Sequence, residues 1–75
     1  MRLVRDREKV LRERLKEGRV AAGLRQVDLA AALEKPQSFV AKVENGERKT
    51  DFIEVLDICS VLGLDPCQLI RDLSK

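Results

Sequence analysis

GLRQVDLAAALEKPQSFVAKVENG, residues 23–46, sets two short amphipathic segments between two glycines, near the middle of a 75-residue chain. In the first segment, QVDLAAAL, the residues Val27, Ala30 and Ala31 and the Leu29/Leu33 pair recur at helical spacing over about two turns. Alanines at 30 to 32 remove bulk from that helix, which lets a second helix cross it closely over a short turn. The turn is Glu34-Lys35-Pro36. Proline suits a first helical position, where its missing N–H would be unpaired anyway, so a third helix is predicted from 36 or 37 to 44. Phe39, Val40 and Val43 mark one buried stripe of it. Its other face carries Gln37, Ser38, Ala41 and Lys42, none of them a long apolar residue that needs a protein partner. Such side chains suit base edges in a DNA major groove. Gln can bond both edge atoms of adenine, Lys can donate to guanine, Ser can do either, and Ala permits close approach. An ordinary solvated helix face would use the same residue types, so this face alone leaves both readings open.

Working outward, the apolar positions Leu11, Leu15 and Ala22, flanked by Val20 and Ala21, predict a first helix over roughly 5 to 22 that stops at Gly23. After Gly46 the stretch ERKT is polar and basic. Asp51 and Glu54 then form a D-x-x-E capping box ahead of FIEVLDICSVLG. The apolar residues Phe52, Ile53, Val55, Leu56, Ile58, Cys59 and Leu62 cover more than a narrow stripe, which predicts a central core helix ending at Gly63. A fifth helix is signposted by Asp65 as cap, Pro66 at the first position and Gln68 at the third, and continues through Leu69, Ile70 and Leu73. The expectation is an all-α domain of five short helices spanning 1–75, with residues 1–9 either a basic arm or the first turns of helix one.

Composition narrows the function classes. A chain this short buries only about 60% of its unfolded surface, so the core is small. It has no Trp or Tyr and two Phe, no apolar run near the roughly 18 residues of a membrane span, and no signal-like stretch in MRLVRDREK. A soluble, cytoplasmic protein is expected. Cys59 lies among apolar residues and Cys67 follows a proline at a helix start, which favours two reduced thiols over a disulfide; a redox role for Cys67 is the minor alternative. With no histidine, three serines and no glycine-rich phosphate loop, the chain offers no triad, metal site or nucleotide cradle, so neither an enzyme nor a cofactor is expected. Charge is lopsided although the net is only +2. Residues 1–25 hold nine bases against four acids, and residues 50–75 hold five acids against two bases. A basic side opposite an acidic side suits a polyanion on one face.

Taken in order, Gly23-Leu24, Gln26, Leu29-Ala30, Glu44-Asn45-Gly46 followed by Arg48 and Lys49, and Leu62-Gly63 resemble the Cro and repressor type of helix-turn-helix domain known as the XRE family, over roughly residues 10 to 73. The resemblance implies a lambda-repressor-like fold with the helix-turn-helix formed by helices two and three, and a sequence-specific, repressor-like transcriptional regulator that binds DNA. It implies base-reading roles for Gln37, Ser38 and Lys42 on helix three. Gln26 matches a residue that bonds phosphate at the start of helix two, and Arg25, Asn45, Arg48 and Lys49 match backbone-contact positions. Arg19 and Glu44 match a partly buried ion pair that ties helix one to the end of helix three in lambdoid phage repressors, a structural role.

Two residues depart from the family pattern. Arg25 stands where Ser, Thr or Asn caps helix two, so that end relies on Asp28 or on bound phosphate, and Pro36 replaces Ser or Thr before helix three. Leu64, Leu69, Ile70 and Leu73 exceed what one small core needs, which predicts a homodimer through helix five and the end of helix four, on an inverted repeat. The competing class is a protein-interaction module of the same fold, such as an antitoxin, with or without DNA binding. A protein-binding helix three would expose aromatics or large aliphatics, which this one lacks.

Overall fold

The computed structural model describes residues 6–74 as five α-helices, with no strand among them: α1 (Arg7–Ala21), α2 (Gln26–Ala32), α3 (Gln37–Asn45), α4 (Phe52–Leu62) and α5 (Pro66–Leu73). Most of the suggested basic arm, including Arg2 and Arg5, lies outside the described residues. Arg7, Glu8 and Lys9 form the first turn of α1, which Asp6 caps by accepting the Lys9 N–H at 3.1 Å.

The first four helices each stop for a reason visible at the end. Gly23, Gly46 and Gly63 take left-handed φ values of 76°, 87° and 73°, and the chain folds back so that the Leu24 N–H reaches the Arg19 carbonyl at 3.1 Å, Glu47 reaches Lys42 at 2.9 Å and Leu64 reaches Cys59 at 2.9 Å. Helix α2 makes the same stop without glycine. Glu34 holds φ 58°, and the Lys35 N–H closes on the Ala30 carbonyl at 2.9 Å. At the other ends, Asp51 and Glu54 exchange backbone bonds of 2.7 and 3.0 Å in the expected capping box. Asp65 caps α5 through the Cys67 N–H at 2.9 Å. The expected contribution of Gln68 to that cap does not form, because its side chain bonds Asp72 and Arg71 within α5 instead.

Leu15, Leu29, Ala30, Phe39, Val40, Val43, Ile58, Cys59, Leu62 and Leu69 make the core, and Leu11, Leu24, Leu33, Val55, Val61, Leu64 and Leu73 pack around it. Helix α2 packs chiefly on α3, while α1 lies across α3, α4 and α5. Of the three alanines of α2 only Ala30 is buried. Gly18 admits Leu64, whose methyl would stand 2.8 Å from any Cβ placed there. Cys59 is 1% exposed, and burial pushes its thiol up from the ordinary range, whereas Cys67 is exposed.

The apolar pattern misassigned several positions. Val20, Ala21 and Ala22 face outward at the end of α1, and Val27 is exposed on α2. Phe52 and Ile53, read as core positions of α4, are 64% and 62% exposed, because α4 buries its second half, at Ile58, Cys59 and Leu62. With Ile70, 50% exposed on α5, Phe52 borders a shallow apolar groove of about 230 Å³ lined also by Leu11, Val55, Leu56 and Leu73.

Candidate nucleic-acid interface

Helix α3 buries Phe39, Val40 and Val43 and turns Gln37, Ser38 and Lys42 outward, with Ala41 half-buried between the two faces. Pro36 is its N-cap, at φ −69° and ψ 155°, so the helix proper begins at Gln37. Gln37 and Ser38 thus occupy the first turn, and Lys42 projects about one turn further on.

Beneath this face runs a chain of polar contacts. The Arg19 Nε and Nη2 donate to the two Glu44 oxygens at 2.7 and 3.1 Å, and its Nη1 donates to the Leu24 carbonyl at 2.7 Å. The two side chains are 11% and 6% exposed, so the expected ion pair is present and deeply placed. It joins α1 to the end of α3 and to the connection before α2. Gln26 extends it outward, its Nε2 donating to Glu44 Oε1 at 3.0 Å, and the Gln37 Nε2 donates in turn to Gln26 Oε1 at 3.0 Å.

Four cationic or amide side chains lie around α3, Asn45 as its last residue and Arg25, Arg48 and Lys49 beside it. Arg25 is the N-cap residue of α2 with no capping oxygen to offer, and Asp28 supplies one from the third position: it accepts the Arg25 backbone N–H at 2.8 Å and the guanidinium through two bonds of 3.0 Å. Those bonds hold the Asp28 carboxyl down at about 2, the side-chain bonds from Arg25 first and its backbone N–H second, and raise Arg25. Asn45 closes the turn after α3, accepting the Glu47 N–H at 3.0 Å and donating to the Glu47 carboxylate at 2.8 Å. Lys49 is 78% exposed, and its ammonium meets the exposed Glu8 at 3.3 Å. Arg48 differs from the other three. Its guanidinium forms two 2.8 Å bonds to Glu54 and one to the Lys49 carbonyl, and lies 4.7 Å from the centre of the Phe39 ring. Hydrogen bonding to Arg48 first, and the Asp51 N–H second, lowers Glu54. Arg48 therefore clamps the α3–α4 loop onto the core, which the sequence carries no local signal for, since Glu54 is six residues away and also serves the cap of α4.

No described helix is long and apolar enough to cross a membrane, and no group of three or more described His, Cys, Asp or Glu side chains is arranged to hold a metal ion. The sequence profile of the Helix-turn-helix family matches residues 15–69. An XRE-family like protein from Pseudomonas syringae pv. tomato str. DC3000 superposes with a TM-score of 0.85 at 48% sequence identity, over 91% of this chain and 83% of that one. Among curated proteins nothing matches.

Proposed function

The chain belongs to the XRE-type helix-turn-helix family of DNA-binding transcriptional regulators, and from that premise we propose that it is a repressor-like protein that binds an operator as a homodimer, with α3 in the major groove. The observation that carries this reading is the outward face of α3: three exposed side chains that can read base edges, on a helix whose opposite face is locked into the core. Gln37, Ser38 and Lys42 read bases. Gln26, Asn45, Lys49 and Arg25 hold phosphates beside them, Arg25 by exchanging Asp28 for a phosphate oxygen. Arg48 adds its charge, but its geometry supports chiefly a structural role, shaping the loop that presents Lys49.

The proposed dimer surface shifts from the end of α4 to its beginning. Leu62 and Leu69 are buried, and Leu64 and Leu73 pack against the core, so the surplus apolar surface is Phe52 and Ile70, which line the groove, and the exposed Ile53. Two subunits joined there would meet half-sites about one helical turn, roughly 34 Å, apart. The same patch favours one second reading, a protein-interaction module whose partner covers α4 and α5.

Selection of bound sequences from a random DNA pool tests the assignment. Lys42→Ala and Gln37→Ala each lose about 1–3 kcal/mol on the preferred site and relax one base position. Lys49→Ala weakens all sequences alike and reduces the slope of log affinity against log salt by about one unit, because fewer counterions are released. A selected motif unchanged by both α3 substitutions would remove α3 as the reader and move the protein-interaction reading ahead.

A further inference from the structure

We propose that Glu44 is a positioning residue for base recognition: its buried carboxylate fixes the polarity of the Gln26–Gln37 amide pair and so determines which base Gln37 reads. The inference rests on the reading of α3 as the recognition helix and adds a second role to the Arg19–Glu44 ion pair. An ionised carboxylate only accepts hydrogen bonds. Held by the Arg19 guanidinium on both oxygens, Glu44 cannot turn away, and Oε1 is left facing Gln26. Gln26 must meet it with its N–H₂ group, as the 3.0 Å contact shows. An amide has its carbonyl on the opposite branch, so the Gln26 Oε1 faces Gln37, and Gln37 must answer with an N–H, again at 3.0 Å.

Gln37 then has one N–H and its carbonyl oxygen left for DNA. That pair, one donor beside one acceptor, is complementary to the N7 acceptor and N6 amino donor of adenine. Guanine presents two acceptors, N7 and O6, and a carbonyl oxygen facing O6 is repelled. The preference is thus set two residues away from the base, by a group that never touches DNA. Gln26 retains a second N–H for phosphate, so its backbone contact and its place in the relay are compatible.

Glu44→Gln tests the relay with minimal change of shape. The new amide can keep its carbonyl on Arg19 and turn its N–H₂ toward Gln26, which admits the reversed order of donors and acceptors through to Gln37. Selection from a random DNA pool by the full chain is expected to show the adenine preference at the Gln37 base pair falling about tenfold, the loss of one good base contact, with guanine admitted there and the base pair read by Lys42 unchanged. Gln26→Leu, which interrupts the relay but leaves the ion pair, should relax the same base pair, and it decides the matter if Glu44→Gln fails to fold. Wild-type preference at the Gln37 position in both variants, or equal relaxation at the Gln37 and Lys42 positions, overturns the relay while leaving α3 as the reader. A wild-type protein that selects no motif removes the reader, and the relay with it.

Discussion

Replacing Glu44 by alanine should be among the most destabilising single changes in this domain, and the size of the effect follows from what it leaves behind. Arg19 would lose the acceptors of its Nε and Nη2 and keep only the Leu24 carbonyl at 2.7 Å, in a site where its side chain is 11% exposed. Breaking one side of a buried ion pair costs about 3–5 kcal/mol, because the remaining charge stays desolvated. A chain of 75 residues has a total stability of about 4–11 kcal/mol, so Glu44→Ala removes about a quarter of it or more. Urea titration followed by circular dichroism should show the midpoint falling with the slope unchanged, and the melting temperature should drop by more than about 12 °C. Removing both charges, as Arg19→Met with Glu44→Leu, should recover much of the loss, less the cost of about 1–3 kcal/mol for the Leu24 carbonyl left unpaired. A loss under about 1 kcal/mol for Glu44→Ala would place the pair among solvated surface bridges and refute the argument from burial.

Three further outcomes are expected. Glu34→Gly should stabilise by about 1 kcal/mol, since a left-handed L-residue costs about 1–2 kcal/mol and glycine returns part of that as unfolded-state entropy; a lowered urea midpoint would contradict this. Asp28, held at about 2 against about 3.9 when unfolded, contributes stability that is complete above the unfolded value and lost as pH falls through about 2. The gap in melting temperature between wild type and Asp28→Asn should therefore close between pH 5 and pH 2, and a constant gap would exclude the Arg25 pairing as its cause. Ile53→Asp should shift sedimentation equilibrium toward monomer and abolish the advantage of an inverted repeat over a single half-site, whereas a wild-type protein that is monomeric at high micromolar concentration, free and on DNA, would remove the dimer.

The order of helices was legible because their ends are written in local chemistry. Gly23, Gly46 and Gly63 mark stops, Asp51 with Glu54 and Asp65 with Pro66 mark starts, and each acts within five residues of itself. The turn inside the helix-turn-helix was located by Pro36 but not explained by it, since the left-handed residue is Glu34, a type that gives no such signal. Which side of α4 is wet could not be read from a segment apolar nearly all round. Phe52 and Ile53 look like Ile58 and Cys59 until the angle at which α1 and α2 cross them is known. In the candidate site the outward set on α3 followed from the buried stripe at Phe39, Val40 and Val43. The partners of Arg48 and Lys49 did not, because Glu54 and Glu8 are brought to them by the tertiary fold.

The contrast between the two thiols gives the molecule an internal stopwatch. Cys67 lies open at the start of α5, while Cys59 is sealed in the core, and its thiolate form is disfavoured by the burial itself. A thiol reagent in excess should consume one equivalent at once and the second only as often as the domain opens. The ratio of that slow rate to the rate at a free thiol measures the free energy of opening under native conditions, with no denaturant and no extrapolation. Operator DNA should lengthen the slow interval in proportion to how tightly it is held, so one chemical trace would record both how often this core comes apart and how firmly its ligand keeps it closed.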